Sequence, residues 1–96
     1  MTLARHNPRR DGNESIITDY LTSLGYAWWA LSGKGIPDIM VLDDAGQYRL
    51  LEIKTSDGKL TPDQRRFFDE CHTARHLYIV RNIADLESAL EPVNVT

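Results

Sequence analysis

The chain has 96 residues, of which 42% are hydrophobic and 26% charged, which predicts one soluble globular domain. A formal net charge of −3 argues against a protein that coats nucleic acid by bulk attraction. No apolar run reaches the roughly 20 residues needed to cross a bilayer, so we expect no membrane partner. Cys71 is the single cysteine, so an internal disulfide is impossible and a reducing cytoplasm is the expected location.

The start of the chain is polar and basic. Residues 1–13 contain a proline and a glycine and are predicted to form a flexible arm, followed by one folded domain over residues 14–96. Arg9 and Arg10 are candidate contacts to DNA phosphates. The alternative is that the arm is simply solvated.

The first helix is predicted from near Asn13 to Leu24, where a glycine follows. The apolar residues at helical spacing that define its buried face are Ile17, Tyr20, Leu21 and Leu24. Glu14 lies along the same stripe, and a buried acid needs a partner. Glu14 therefore either lies at the rim of a functional site or forms a capping box with Asp11, because the two have D-x-x-E spacing.

Residues 26–31 are aromatic and apolar, which predicts the first strand. Alternation along a strand sends Trp28 and Trp29 to opposite faces of the sheet. We expect both rings to be covered, one by each layer of an α/β sandwich. The alternative is an exposed tryptophan that makes a dimer contact or stacks on a base.

Two further strands are predicted at residues 39–42 and 48–54, joined by a loop of turn-forming composition. If Leu42 lies opposite Tyr48, the antiparallel register places Asp38 opposite Glu52, with Cβ atoms roughly 4.5–5.5 Å apart. Glu52 and Lys54 share one face of the second strand, so they project beside Asp38. Opposed carboxylates repel unless a cation lies between them, and Mg²⁺ or Mn²⁺ suits such hard oxygen ligands.

Basic residues and glycines follow in the loops and the second helix. In the loop before Asp38, Gly35 would let the backbone approach a phosphate or a metal closely. The candidate DNA contacts in this part of the chain are Lys34, Gly35, Lys59, Arg65 and Arg66. Solvated surface residues are the alternative for the cations.

The second helix is predicted to begin with Thr61 as N-cap, Pro62 in the first turn and Gln64 as the partner of Thr61 in a capping box. A strand at residues 76–80, β-rich enough to be central or nearly so, follows through a parallel crossover. Asn82 then caps a last helix. The predicted order is α-β-β-β-α-β-α.

Pro37-Asp38 together with Glu52-Ile53-Lys54 resembles the PD-(D/E)xK nuclease signature. With Gly35 and residues 60–64, the chain is most similar to the VRR-NUC (virus-type replication-repair nuclease) family, over about residues 14–90. The predicted element order matches the fold that this resemblance implies. That fold is an α/β, restriction-endonuclease-like α-β-β-β-α-β core whose mixed sheet is flanked by helices.

The resemblance also implies an activity and its residues. We expect a Mg²⁺- or Mn²⁺-dependent DNA endonuclease, with the ion held by Asp38, Glu52 and the Ile53 carbonyl. Lys54 would assist the attacking water or stabilise the transition state. Glu14 would be a ligand, act through water or serve a second metal. Gln64 would orient catalytic groups or contact phosphate, although its side chain is not expected to cap the helix at the same instant.

Small members of the family are homodimers that cut branched DNA such as four-way (Holliday) junctions, and larger relatives act on flaps. The resemblance therefore implies a branched-DNA partner, a homodimer and a role in replication, recombination or repair within a bacterial or phage-infected cell. The alternatives are a non-catalytic DNA- or protein-binding module on a nuclease fold, and an ordinary α/β scaffold. The scaffold leaves the opposition of Asp38 and Glu52 unexplained.

Overall fold

The computed structural model describes residues 12–70 and 76–91. In chain order its elements are α1 (Gly12–Ser23), β1 (Trp28–Ala30), β2 (Ile39–Leu42), β3 (Tyr48–Ile53), α2 (Pro62–Glu70), β4 (Leu77–Val80) and α3 (Ile83–Leu90). This is the predicted α-β-β-β-α-β-α order. Of the predicted basic arm, Gly12 and Asn13 belong to α1, and the remainder lies outside the described residues. No helix in the described ranges is long and apolar enough to span a bilayer.

The strands form one mixed sheet in the order β1-β2-β3-β4. The β1–β2 and β2–β3 pairs are antiparallel, and β3 and β4 are parallel, as the crossover through α2 predicts. Leu42 lies opposite Tyr48, so the predicted register of the hairpin is confirmed. The architecture is consistent with the restriction-endonuclease-like α/β fold.

The prediction that the last strand is central or nearly so is wrong, because β4 lies at an edge of the described sheet and pairs with β3 alone among the described strands. The β-rich composition of this segment has another cause. Val80 is fully buried in the core, and the other three residues of β4 are partly buried. Burial of the strand's faces therefore favours apolar residues at an edge as well as in the centre.

One hydrophobic core joins α1 and α3 to one face of the sheet. Its buried residues are Ile17, Leu21, Ile39, Val41, Leu51, Ile53, Val80, Leu86 and Ala89. Leu24, which was expected in this core, is 54% exposed because α1 ends at Ser23 and the chain turns away there. Trp28 packs against the core from β1.

The expectation that both tryptophans are covered is wrong for Trp29, which is 49% exposed. Trp29 lies opposite Met40 in the register of β1 and β2, on the sheet face away from the core. Leu42 and Tyr48 are exposed large hydrophobic residues at the far end of the hairpin strands. β1 is an edge strand, so Trp29 has a strand neighbour on one side alone within the described sheet.

A buried ion pair lies at the edge of the core. Arg49, 2% exposed, donates from Nε to Asp43 Oδ2 at 3.0 Å, and its Nη2 forms an ion pair with the same oxygen at 3.0 Å. Its Nη1 donates to the carbonyl of Ala89, in the last turn of α3, and to the carbonyl of Glu91, which directly follows the helix. The Asp43 carboxylate also accepts from the Gln47 amide, which is the largest cause of its lowered pKa, and Arg49 lowers that pKa further. The Arg49 side chain thus connects the hairpin loop to the C-terminal end of α3.

Candidate active site

The hairpin brings Asp38 to the end of β3. Asp38 immediately precedes β2, and its amide donates to the Leu51 carbonyl at 3.0 Å. Its side-chain Oδ2 accepts from the Ile53 amide at 2.8 Å. The Asp38 carboxylate therefore takes the place of a strand carbonyl as the acceptor for the Ile53 amide. This bond holds the carboxylate close to Glu52 and Lys54, the neighbours of Ile53 in the chain.

Glu52 is the buried acid of the site, with 1% of its surface exposed. Burial, followed by the charge of Asp38 and a hydrogen bond to it, raises the pKa of Glu52 to about 8. The Lys54 ammonium lies 3.8 Å from Glu52 Oε2 and lowers this pKa, while Glu14 raises it. Asp38, Lys54 and Glu14 thus all act electrostatically on one carboxyl group.

The Glu52 carboxyl group fits the role of a metal ligand. Its Oε1 atom is buried and has no hydrogen-bond partner, and an unsatisfied buried oxygen is costly unless something else engages it. A divalent cation would satisfy this oxygen and offset the repulsion from Asp38. Oxygen ligands of this kind suit Mg²⁺ or Mn²⁺.

No three Asp, Glu, His or Cys side chains of the described residues form a metal-holding group. A site at Asp38 and Glu52 therefore uses two carboxylates. Main-chain carbonyl, water or substrate oxygens would supply its other ligands, which is the usual situation for Mg²⁺. Glu14 lies close enough to raise the pKa of Glu52, and its proposed place is at the rim of the site. The alternative capping partner, Asp11, lies outside the described residues.

The raised pKa of Glu52 predicts that the metal-free protein loses stability as the pH rises from about 4.5 to about 8. In that interval the folded chain retains a proton that the unfolded chain has released, so deprotonation favours unfolding. Glu52→Gln cannot ionise and should remove roughly 1–3 kcal/mol of this pH dependence. Denaturant unfolding in EDTA across this pH range measures the effect. Parallel pH profiles for the variant and the unmodified protein would contradict it.

Gln64 serves the helix and the site at the same time. Its Oε1 accepts from the Thr61 amide at 2.9 Å, and its own amide donates to Thr61 Oγ1 at 3.2 Å, so the predicted capping box is present. Its Nε2 also donates to Glu52 Oε2 at 3.1 Å. The expectation that one side chain could not do both at once is wrong, because a carboxamide has an acceptor end and a donor end.

Two variants should separate these roles. Gln64→Glu keeps the acceptor that caps α2 but replaces the donor to Glu52 with a carboxylate oxygen, so we expect activity to fall about tenfold or more. Thr61→Ala removes the other half of the box and should cost about 1 kcal/mol of stability with little loss of activity. Thermal unfolding measures the stability of each variant, and initial rates of DNA cleavage measure its activity. Equal loss of activity in the two variants would show that Gln64 acts through the cap alone.

The structure brings three of the candidate DNA contacts together. Lys34, Gly35 and Arg66 line one pocket, whose other lining residues are Asp63, Phe67 and Glu70. The exposed ion pairs Lys34–Asp63, at 3.5 Å, and Arg66–Glu70, at 3.1 Å, lie at this pocket. Exposed ion pairs of this kind contribute about 0–1 kcal/mol to stability. Either cation can therefore exchange its carboxylate partner for a phosphate at small cost.

Gly35 makes its close approach to protein backbone in this structure. Its φ is +79°, and a Cβ atom there would lie 2.7 Å from the Asp63 carbonyl oxygen at the start of α2. Glycine therefore lets the loop before Asp38 meet the helix that contains Gln64. Contact between Gly35 and DNA stays a proposal.

The other candidate contacts are dispersed. Lys59 and Arg65 are exposed, and Arg9 and Arg10 lie outside the described residues. Two further polar residues, Asn13 and Arg81, bond to backbone carbonyls around Lys54. They were missed because neither belongs to a motif, and a hydrogen bond to a distant carbonyl has no signature in the sequence.

Comparison with known protein families gives a match over more than half of the chain. A family model described as VRR-NUC domain matches residues 28–83, from the first residue of β1 to the first residue of α3. The matched range includes Asp38, Glu52, Lys54 and Gln64, whereas Glu14 precedes it. No curated protein and no solved structure matches the chain.

Proposed function

The chain belongs to the VRR-NUC family, and from this membership we propose that it is a metal-dependent endonuclease that cuts branched DNA, at four-way junctions or flaps. The domain itself implies a nuclease-type function in DNA processing. Metal dependence and the choice of substrate are the proposed part. The buried Glu52 carboxyl group, with one unpartnered oxygen beside Asp38, is the observation that most supports metal dependence, and the branched substrate is proposed from the family resemblance.

Asp38, Glu52 and the Ile53 carbonyl are the groups that would hold Mg²⁺ or Mn²⁺. When bound, such an ion polarises the phosphate and lowers the pKa of a coordinated water. Asp38 is already fixed by the Ile53 amide, so its carboxylate needs little rearrangement. Glu14 would support this set from α1, through water or at a second ion.

Lys54 has a position that suits an electrostatic catalyst. Its side chain is 15% exposed, and its ammonium lies 3.8 Å from Glu52 Oε2, so it is held at the site by charge rather than free in solvent. There it would orient the attacking water and stabilise the negative charge that develops on the phosphate. Gln64 would keep Glu52 in place through its Nε2 donor.

Phosphate contacts are proposed for the exposed cations of the described residues, of which Lys34 and Arg66 line one pocket, together with the arginines of the N-terminal arm. The set is Lys34, Lys59, Arg65, Arg66, Arg9 and Arg10, with Gly35 as a backbone contact. Cations on a chain of formal net charge −3 indicate local rather than bulk attraction to DNA. Such contacts would position the substrate without reading its sequence.

We also propose that the protein works as a homodimer. The exposed Trp29, Leu42 and Tyr48 leave apolar surface on the described sheet, which supports association. Light scattering behind size-exclusion chromatography should give twice the mass of the chain. A monomer at the concentrations used for cleavage would contradict this part of the proposal.

The experiment that tests the function compares four-way, flap and linear DNA of matched sequence. Each is incubated with the protein in Mg²⁺, Mn²⁺ or EDTA. We expect cleavage of the branched molecules with either ion, none in EDTA, and weaker or no cleavage of the linear duplex. Equal cleavage of all three would contradict the substrate preference, and cleavage in EDTA would contradict metal dependence.

A binding module on a nuclease fold is the second candidate. It would bind branched DNA without cutting it under any of these conditions, which the same experiment detects. The proximity of Asp38, Glu52 and Lys54 argues against this candidate, because two carboxyl groups beside each other destabilise the folded chain and bring no benefit to a protein that only binds.

A further inference from the structure

One side-chain amide joins α1 to the ends of two strands. Asn13 Nδ2 donates to the Lys54 carbonyl at 2.7 Å and to the Arg81 carbonyl at 3.1 Å. Lys54 directly follows β3 and Arg81 directly follows β4, and these strands are parallel neighbours. A carboxamide has two N–H donors, so this single group can satisfy both carbonyls.

The Arg81 side chain holds the loop that begins after Lys54. Its Nη1 donates to the Thr55 carbonyl at 2.6 Å and to the Gly58 carbonyl at 2.7 Å. The Arg81 amide donates to Asp85 Oδ2 at 2.9 Å, which attaches this residue to the first turn of α3. The loop is thereby bound to the framework of the domain at two points.

Lys54 lies at the centre of these contacts. Its amide donates to the Val80 carbonyl at 3.0 Å, its carbonyl accepts from Asn13, and the next carbonyl along the chain accepts from Arg81. The backbone is therefore fixed on both sides of the residue whose ammonium lies 3.8 Å from Glu52 Oε2. Asn13 is also the neighbour of Glu14 in α1, so the same amide fixes the start of that helix.

We propose that Asn13 and Arg81 are positioning residues, which hold Lys54 and Glu14 in the geometry that catalysis needs; this inference rests on the proposed nuclease function. Neither side chain is among the groups that would meet the metal or the reacting phosphate. They act through the backbone. A displacement of about 1 Å at a catalytic group can cost about 10²-fold in rate, so fixing the backbone has a large effect on turnover.

The test uses Asn13→Ala, Asn13→Asp and Arg81→Lys. Asn13→Asp keeps the shape of the side chain but removes both donors, and it serves if Asn13→Ala does not fold. Arg81→Lys keeps the charge but loses the planar guanidinium. We expect kcat on four-way DNA to fall about tenfold or more in each variant, while the Kd for that DNA, measured in EDTA, changes less than about twofold.

A second readout needs no metal and no cleavage. Amide hydrogen exchange of Lys54 and Gly58 in the metal-free protein should be about tenfold faster in the variants, because the segment between them has lost its attachments. The control is Asp19→Ala, which changes an exposed polar residue of the same helix α1. It should leave kcat, Kd and exchange unchanged.

The possible outcomes are distinct. Unchanged exchange, or faster exchange with unchanged kcat, would overturn the positioning role. So would a fall in kcat and in DNA binding that merely follows the folded fraction measured by circular dichroism. If the unmodified protein cuts no DNA under any condition, the proposed function fails instead, and exchange alone then decides whether the two residues fix this segment.

Discussion

Asp38→Asn and Lys54→Ala should each reduce cleavage of branched DNA by about 10²–10³-fold or more, with the fold intact. Asp38→Asn replaces one of the two opposed carboxyl groups with a neutral amide of the same size. Lys54→Ala removes the ammonium beside Glu52 Oε2. Single-turnover rates in Mg²⁺ and Mn²⁺ measure both effects, and thermal unfolding checks the fold.

The matched control is Asp44→Asn, an exposed aspartate in the hairpin loop between β2 and β3. It makes the same chemical change as Asp38→Asn on the same hairpin, so its rate should stay close to that of the unmodified protein. Removal of the Asp38 charge should also lower the pKa of Glu52, since Asp38 is the second cause of its elevation after burial. Cleavage within a few fold of the control in either site variant would exclude its residue from catalysis.

Loss of the Arg49 side chain is expected to have the largest effect on stability. Arg49→Met would leave Asp43 Oδ2 and the carbonyls of Ala89 and Glu91 without the guanidinium donor, although Asp43 Oδ1 keeps its bond from the Gln47 amide. Removing one partner of a buried ion pair typically costs about 3–5 kcal/mol. For a domain of this length that lowers Tm by more than about 10 °C.

Arg65→Met provides the comparison, because Arg65 is an exposed arginine on α2 and should change Tm by no more than a few degrees. The double variant Arg49→Met with Asp43→Asn tests the coupling, and its destabilisation should be less than the sum of the two single effects. Strict additivity, or similar Tm values for Arg49→Met and Arg65→Met, would show that the pair contributes little.

The central hairpin was predictable from the sequence for a simple physical reason. A short turn-forming loop between two apolar runs determines which residues lie opposite each other, and the period of two then determines the face of every side chain. The pairing of Leu42 with Tyr48 confirmed this register. The approach of Asp38 to Glu52 follows from it.

Features that depend on contacts between distant parts of the chain were harder to predict from the sequence. Alternation along β3 puts Arg49 on the face shared by Leu51 and Ile53, but its acceptors include carbonyls about 40 residues away, which no local pattern indicates. Leu24 continued the apolar spacing of α1 beyond the point where the helix ends. For Trp29, alternation gives the face but not whether another element covers that face.

Around the candidate site, too, local features were predictable from the sequence and contacts between distant residues were not. Thr61 and Gln64 have the spacing of a capping box, so that role could be predicted, whereas the simultaneous bond from Gln64 to Glu52 depends on how α2 meets the sheet. The contacts of Asn13 and Arg81 join parts of the chain that only the fold brings together. Sequence patterns thus indicated the charged residues of the candidate site but not the hydrogen bonds to distant backbone groups that fix the segments around them.

A titration with Mn²⁺, followed by the electron paramagnetic resonance signal of the free ion, tests the central claim most directly. It should be made at a pH above about 8, where Glu52 is ionised. The unmodified protein should remove Mn²⁺ from solution, and both Asp38→Asn and Glu52→Gln should weaken this binding about tenfold or more. Binding of equal strength in all three proteins, or none by the unmodified protein, would contradict the assignment of these two carboxylates as the metal site.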